Sequence, residues 1–153
     1  EKYIEIASTS QSTGITYVSD LDSKNSSSIS KYVTKEITVE IPSNCLDVRI
    51  KANVLNSDNI KVYYKIREAN AQFNFDDIDW REFNPGGTSD NVVIPSSSNS
   101  ISGYFEQQES YKEYQYSTSN LPEFTSYSIK IVMNTSDPCY VPKIQDFRCV
   151  SSI

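Results

Sequence analysis

Residues 59–83 read NIKVYYKIREANAQFNFDDIDWREF, and their pattern decides the fold class. Ile60, Val62, Tyr64 and Ile66 alternate with Lys61, Tyr63, Lys65 and Arg67. A period of two residues puts the first set on the buried face of a β-strand and the second on its wet face. The acidic loop Asp76-Asp77-Ile78-Asp79 follows, then Trp80, the chain's one tryptophan, and Phe83. A large ring placed after such a loop is expected to close a hydrophobic core.

Moving toward the N-terminus, residues 45–55 (CLDVRIKANVL) alternate in the same way. Leu46, Val48, Ile50, Ala52 and Val54 face inward; Asp47, Arg49, Lys51 and Asn53 face out. Residues 32–41 (YVTKEITVEI) set Val33, Ile37, Val39 and Ile41 on one face and Thr34, Glu36, Thr38 and Glu40 on the other. Pro42-Ser43-Asn44 and Asn56-Ser57-Asp58-Asn59 supply the turns between these strands. Residues 1–6 (EKYIEI) predict a short strand, and residues 7–30 turn to Ser, Thr, Asn, Asp and Gly with an apolar interruption at 15–18. That composition buries too little to fold alone. An extended Ser-rich N-terminal arm or linker is therefore expected over residues 1–30, with 15–18 pinned to a sheet edge or a neighbouring chain. A long surface excursion of the domain is the other reading. The sandwich domain is expected over residues 31–153.

Moving toward the C-terminus, residues 84–102 are loop-like, with a short edge strand over 92–94. Residues 111–118 (YKEYQYST) place Tyr114 and Tyr116 on one face and Tyr111 on the other. In residues 124–133 (FTSYSIKIVM), Tyr127, Ile129, Ile131 and Met133 point inward. Residues 141–153 (VPKIQDFRCVSSI) give a last strand with Phe147 and Cys149 sharing a face. No stretch has the 3.6-residue apolar period of a helix. Seven or eight strands joined by polar turns predict an all-β fold, an antiparallel, jelly-roll-like β-sandwich.

Composition narrows the functional classes. The chain has 153 residues, the size of one domain, and a formal net charge of −6. With a pI of about 4.6 it offers no phosphate-tracking surface, so nucleic acid is not an expected partner. No apolar run approaches the roughly 20 residues that span a bilayer, so no membrane partner is expected either. Histidine is absent, which removes the usual general base, the usual metal ligand and every Ser-His or Cys-His pairing. A non-enzymatic protein without a cofactor is expected. Three cysteines, Cys45, Cys139 and Cys149, form no CxxC pair and read as small buried apolar groups. A Cys139–Cys149 bridge would require an oxidising compartment.

Two constellations invite chemistry. Asp76, Asp77 and Asp79 offer hard oxygen ligands for calcium, but lack the glycine and later glutamate of a calcium loop; a solvated turn is the plainer reading. Eleven tyrosines and Trp80 suggest a platform for sugar rings, against which stands the ordinary use of Tyr in cross-strand packing. Trp80, Phe83, Phe105, Tyr114 and Tyr116 are the expected core or interface anchors, because buried aromatics carry most interface energy.

The order LDVRIKANV, turn, IKVYYKI, FDDIDWREF and FTSYSIKIVM…YVPKIQDFR resembles a β-sandwich domain of virion structural proteins from contractile-tailed, T-even-like bacteriophages. The resemblance spans about residues 45–150 and is patchy over 84–110; IKIVM and VPKIQDFR are its more specific pieces. After Arg148 the chain runs Cys-Val-Ser-Ser, which departs from the small apolar ending of that group. The resemblance implies a non-enzymatic baseplate or tail module, at the C-terminal end of a longer chain, assembled in the host cytoplasm. Its partners would be other virion proteins or copies of itself. The alternative from another class is a carbohydrate-binding or adhesin-type sandwich that recognises a cell-surface glycan.

Overall fold

The computed structural model describes residues 18–28, 30–93 and 111–153. The strand expected over 1–6, residues 15–17, Ile94 and Phe105 lie outside them. Nine strands form among the described residues: β1 (Lys31–Val33), β2 (Ile37–Ser43), β3 (Cys45–Asn53), β4 (Ile60–Glu68), β5 (Arg81–Glu82), β6 (Asn91–Val93), β7 (Lys112–Thr118), β8 (Phe124–Met133) and β9 (Lys143–Ser152). They make two antiparallel sheets. In the first, β1 and β2 follow one another along one side of β8, and β4 and then β5 lie on its other side. The second runs β6-β7-β3-β9. The molecule is an all-β sandwich, and the alternating strands explain why.

The core lies between the sheets. Leu46, Val48, Ile50 and Ala52 of β3 and Tyr114 and Tyr116 of β7 face Ile60, Val62, Tyr64 and Ile66 of β4 and Phe124, Tyr127, Ile129 and Ile131 of β8. Phe83 joins the two layers. Its ring meets Tyr64 edge-on at 5.0 Å and Tyr116 at 6.3 Å, the T-shaped geometry that ring quadrupoles favour. The ring that closes the core is therefore Phe83, and Trp80 does not reach it.

Residues 32–41 are not one strand with an inward apolar face. The ladder breaks between β1 and β2, where Thr34 Oγ1 accepts the Ile129 amide at 3.0 Å and Ser128 Oγ donates to the Thr34 carbonyl at 2.9 Å. Glu36 is drawn aside to accept from Ser126 Oγ at 2.5 Å and to pair with Arg67 at 2.9 Å. Across the break the pattern falls out of phase, so Val33, Ile37 and Ile41 are exposed and only Val39 packs on the core. This split, with the two-residue β5, raises the strand number above the seven or eight expected. Asn53, expected outside, is buried and accepts the Tyr140 hydroxyl. The cysteines are free; Cys45 and Cys149 are half-buried, while Cys139 is exposed on a turn held by Asp137.

Two features of this core yield predictions. The Pro85–Gly87 turn seats both its glycines at positive φ, Gly86 at 75° and Gly87 at 71°. A Cβ on Gly87 would meet the Val62 carbonyl oxygen at 3.0 Å, whereas one on Gly86 meets nothing within 4 Å. Gly86→Ala is expected to cost about 1 kcal/mol, the left-handed penalty alone. Gly87→Ala is expected to cost about twice that, because β4 backbone in the sheet centre cannot give way. Equal urea midpoints for the two variants would contradict the contact.

The second feature is the Tyr116 hydroxyl, buried without a hydrogen-bond partner among the described residues. Its burial pushes the phenol well above its ordinary pKa. Tyr116→Phe removes an unsatisfied polar group and keeps the ring, so stability should rise by about 1 kcal/mol. A higher denaturation midpoint at unchanged slope is the expected reading.

Candidate functional site

The outer face of the first sheet carries an arrangement that the alternation of residues 60–67 conceals. β4 and β8 pair with Tyr63 opposite Lys130 and Lys65 opposite Ser128. Tyr63, Lys65, Ser128, Lys130 and Val132 thus share a face that single-strand patterning assigns to water. It is covered instead: Lys65 is 5% exposed, Lys130 2% and Trp80 6%. Trp80 packs with Tyr63 and Val132 as a second cluster, separate from the core between the sheets.

Local chemistry holds this cover in place. Asn74 Oδ1 accepts the Asp76 amide at 3.3 Å and starts the turn Phe75–Asp77. The Trp80 amide donates to the Leu21 carbonyl at 2.9 Å. Asp77 pairs with Lys24 at 2.6 Å, and Asp79 Oδ1 accepts the Ser23 amide at 3.1 Å. Residues 19–28 and 74–80 therefore clasp each other over the sheet, so the described end of the Ser-rich segment packs on the sandwich. Asp77 and Asp79 belong to this clasp and go to different partners. Among the described residues no group of three or more metal-ligating side chains converges.

The lysine ammoniums lie against rings. Lys65 Nζ sits 4.8 Å from the Phe75 centroid and 4.8 Å from that of Trp80. Lys130 Nζ lies 4.8 Å from Trp80 and 5.3 Å from Tyr63, and donates to the Asp20 carbonyl. Cation–π attraction strengthens where water is excluded, but it does not replace full hydration of an ammonium. Burial accordingly lowers both lysines, Lys130 to about 8, with Lys31 and Lys65 adding repulsion and Asp20 and Asp22 opposing it.

A different feature lies along one side of the sandwich. The β1/β2 edge of the first sheet and the β9 edge of the second run together, tied by the Tyr32–Phe147 ring contact at 6.2 Å and by the Asn44 amide to the Ser152 carbonyl at 3.0 Å. Among the described residues no strand pairs the outer side of β1, β2 or β9. Tyr32, Ile41 and Val150 are 52%, 64% and 61% exposed, and Val33 and Ile37 are exposed beside them.

Of the anchors expected from sequence, Phe83, Tyr114 and Tyr116 meet in the main core, Trp80 lies on the opposite face of the first sheet, and Phe105 is outside the described residues. Sequence reasoning missed Lys65 and Lys130 as buried groups. Strand alternation correctly assigns them to the non-core face but carries no sign that a loop covers it. Comparison with protein-family models, curated proteins and solved structures finds no match to this chain.

Proposed function

We propose that this chain is a non-enzymatic structural module of a tailed-phage particle, in its baseplate or tail, acting through contacts with other virion proteins or further copies of itself. The single observation that carries the assembly reading is the paired apolar edge of β1/β2 and β9. Exposed strand edges invite pairing by another chain, and folded proteins usually blunt them with charge, proline or a covering segment. Here Pro42 interrupts β2, yet apolar side chains remain on both edges, in a position suited to strand addition or to burial against a partner. The phage context rests on the sequence resemblance. The glycan alternative gains nothing from Trp80, whose ring is covered and offers no open stacking surface.

The test is a double substitution, Ile41→Asp with Val150→Asp, introduced in the virus that encodes the chain. Both side chains are solvent-exposed, so far-UV circular dichroism and the unfolding midpoint should hold within the usual range of surface changes, about 0.5 kcal/mol. The variant is expected to be lost from purified particles. Its normal incorporation, with the fold intact, would refute the edge as the assembly surface.

A further inference from the structure

Beside the caged lysines a cavity of about 400 Å³ opens on the outer face of the first sheet. Lys24, Lys31, Lys65 and Lys130 line it, with Trp80 and Val33 as apolar wall. In a chain of net charge −6 this concentration of cations is unusual, and most of the neighbouring carboxylates are turned to other donors. Asp20 accepts the Ser26 and Ser28 hydroxyls. Asp22 accepts the Lys24 and Asn25 amides at 3.0 and 2.7 Å. Asp77 takes Lys24, Asp79 takes the Ser23 amide, and Glu36 takes Arg67 and Ser126. Asp76 alone places a carboxylate in the lining.

The contacts of the other three ammoniums are of a different kind. Lys31 Nζ donates to the Ser26 carbonyl at 3.4 Å, Lys130 Nζ to the Asp20 carbonyl, and Lys65 Nζ faces the Phe75 and Trp80 rings. Rings and carbonyls hold these ammoniums in place without a carboxylate in direct contact. Lys31 and Lys65 repel Lys130, Asp20 and Asp22 offset part of that repulsion, and a bound anion would relieve the rest together with the desolvation.

We propose that this cavity binds a tetrahedral oxyanion, a phosphoryl or sulfate group, carried on a small organic ring. Lysine suits the tetrahedral group, since its three donors rotate freely, while the planar fork that matches a carboxylate belongs to arginine. No arginine lines this cavity. Ser23, Asn25 and Ser26 add neutral hydrogen-bonding groups from the turn that roofs it. The volume exceeds that of a bare anion and falls within the range of small-molecule sites, leaving room for a ring beside the exposed Val33.

Trp80, as the chain's only tryptophan, reports on this site alone. The full chain is titrated with glucose 6-phosphate, inorganic phosphate, sulfate and glucose at matched ionic strength, and the Trp80 emission is followed. A saturable change is expected with glucose 6-phosphate, a weaker one with the two inorganic anions, and none with glucose. Lys31→Gln, on an exposed strand, should weaken glucose 6-phosphate binding about tenfold by removing one charge-assisted hydrogen bond. Lys65→Met should do the same if its circular dichroism spectrum is native, and Lys31→Gln decides if it is not. No saturable change with any of the three anions, or an unaltered affinity in Lys31→Gln, would overturn the site. Equal affinity for glucose 6-phosphate and inorganic phosphate would overturn the ring-borne part. The edge variant Ile41→Asp with Val150→Asp should leave the titration unchanged, which keeps this inference separate from the assembly reading.

Discussion

Trp80→Ala is expected to lower the unfolding free energy by about 3–5 kcal/mol, the range for removing a buried large aromatic. The main core would survive such a change, since Phe83, not Trp80, bridges Tyr64 and Tyr116. What is lost is the cover on the opposite face. The indole packs with Tyr63 and Val132, and its ring stands 4.8 Å from both Lys65 and Lys130. Truncation opens a cavity against β4 and β8 and removes the attractive face from two buried ammoniums at once. The clasp of residues 19–28 on 74–80 should loosen first, because it is held by exposed polar ties such as Lys24–Asp77, and such pairs contribute little alone. Hydrogen exchange should therefore accelerate in these two segments while the central amides of β3 and β8 stay protected up to global unfolding. Trp80→Phe, which keeps a smaller ring face, should recover part of the loss. A Trp80→Ala variant within about 1 kcal/mol of the parent would show that the outer cluster contributes little to stability.

The difference between the two faces of the first sheet explains what the sequence discloses. Alternation reports whether one side of a strand is apolar, and it placed Leu46, Val48, Ile50, Ile60, Val62, Ile129 and Ile131 in the core because their burial depends on the strand itself. The other face of β4 and β8 depends on segments far away in the chain: Asp20 lies 110 residues from the lysine that donates to its carbonyl. No local pattern encodes that encounter. Lys65 and Lys130 carry the residue type of a wet face and the burial of a core. Residues 32–41 mislead for the opposite reason. Their alternation is regular, but Thr34 and Glu36 find side-chain partners on β8 and β4 that compete with the ladder, and the strand breaks between them. Trp80 and Phe83 sit three residues apart on either side of β5, so proximity in sequence could not say which ring enters which cluster.

Burial of the second lysine sets the remaining prediction, a stability that rises with pH. Lys130 is lowered from an ordinary 10.5 to about 8, first by desolvation and then by the nearby Lys31 and Lys65, with Asp20 and Asp22 opposing. Between these two values the folded protein has released the proton and the unfolded chain still holds it. The unfolded state then binds more protons, so the unfolding free energy increases as pH climbs from about 8 to 10.5. Below the folded value the penalty of a buried charge is fully present; above the unfolded value it is gone. The size is on the order of 3 kcal/mol. Lys65, lowered by burial as well, acts in the same direction. Cys149 opposes them in part, since burial beside the core raises its thiol from 9.0 to about 11 and stability from that group falls as pH climbs between those two values. The informative quantity is accordingly the difference between the parent and Lys130→Met, in which the Cys149 contribution cancels. Methionine fills the same space without charge, so the variant's advantage should be largest near neutral pH and shrink by about 3 kcal/mol at alkaline pH. Urea midpoints taken at intervals from pH 7 to 11 give that difference directly. A difference that stays constant across the interval would mean that the Lys130 ammonium keeps its full hydration under the indole, and that the cage around it is open to water.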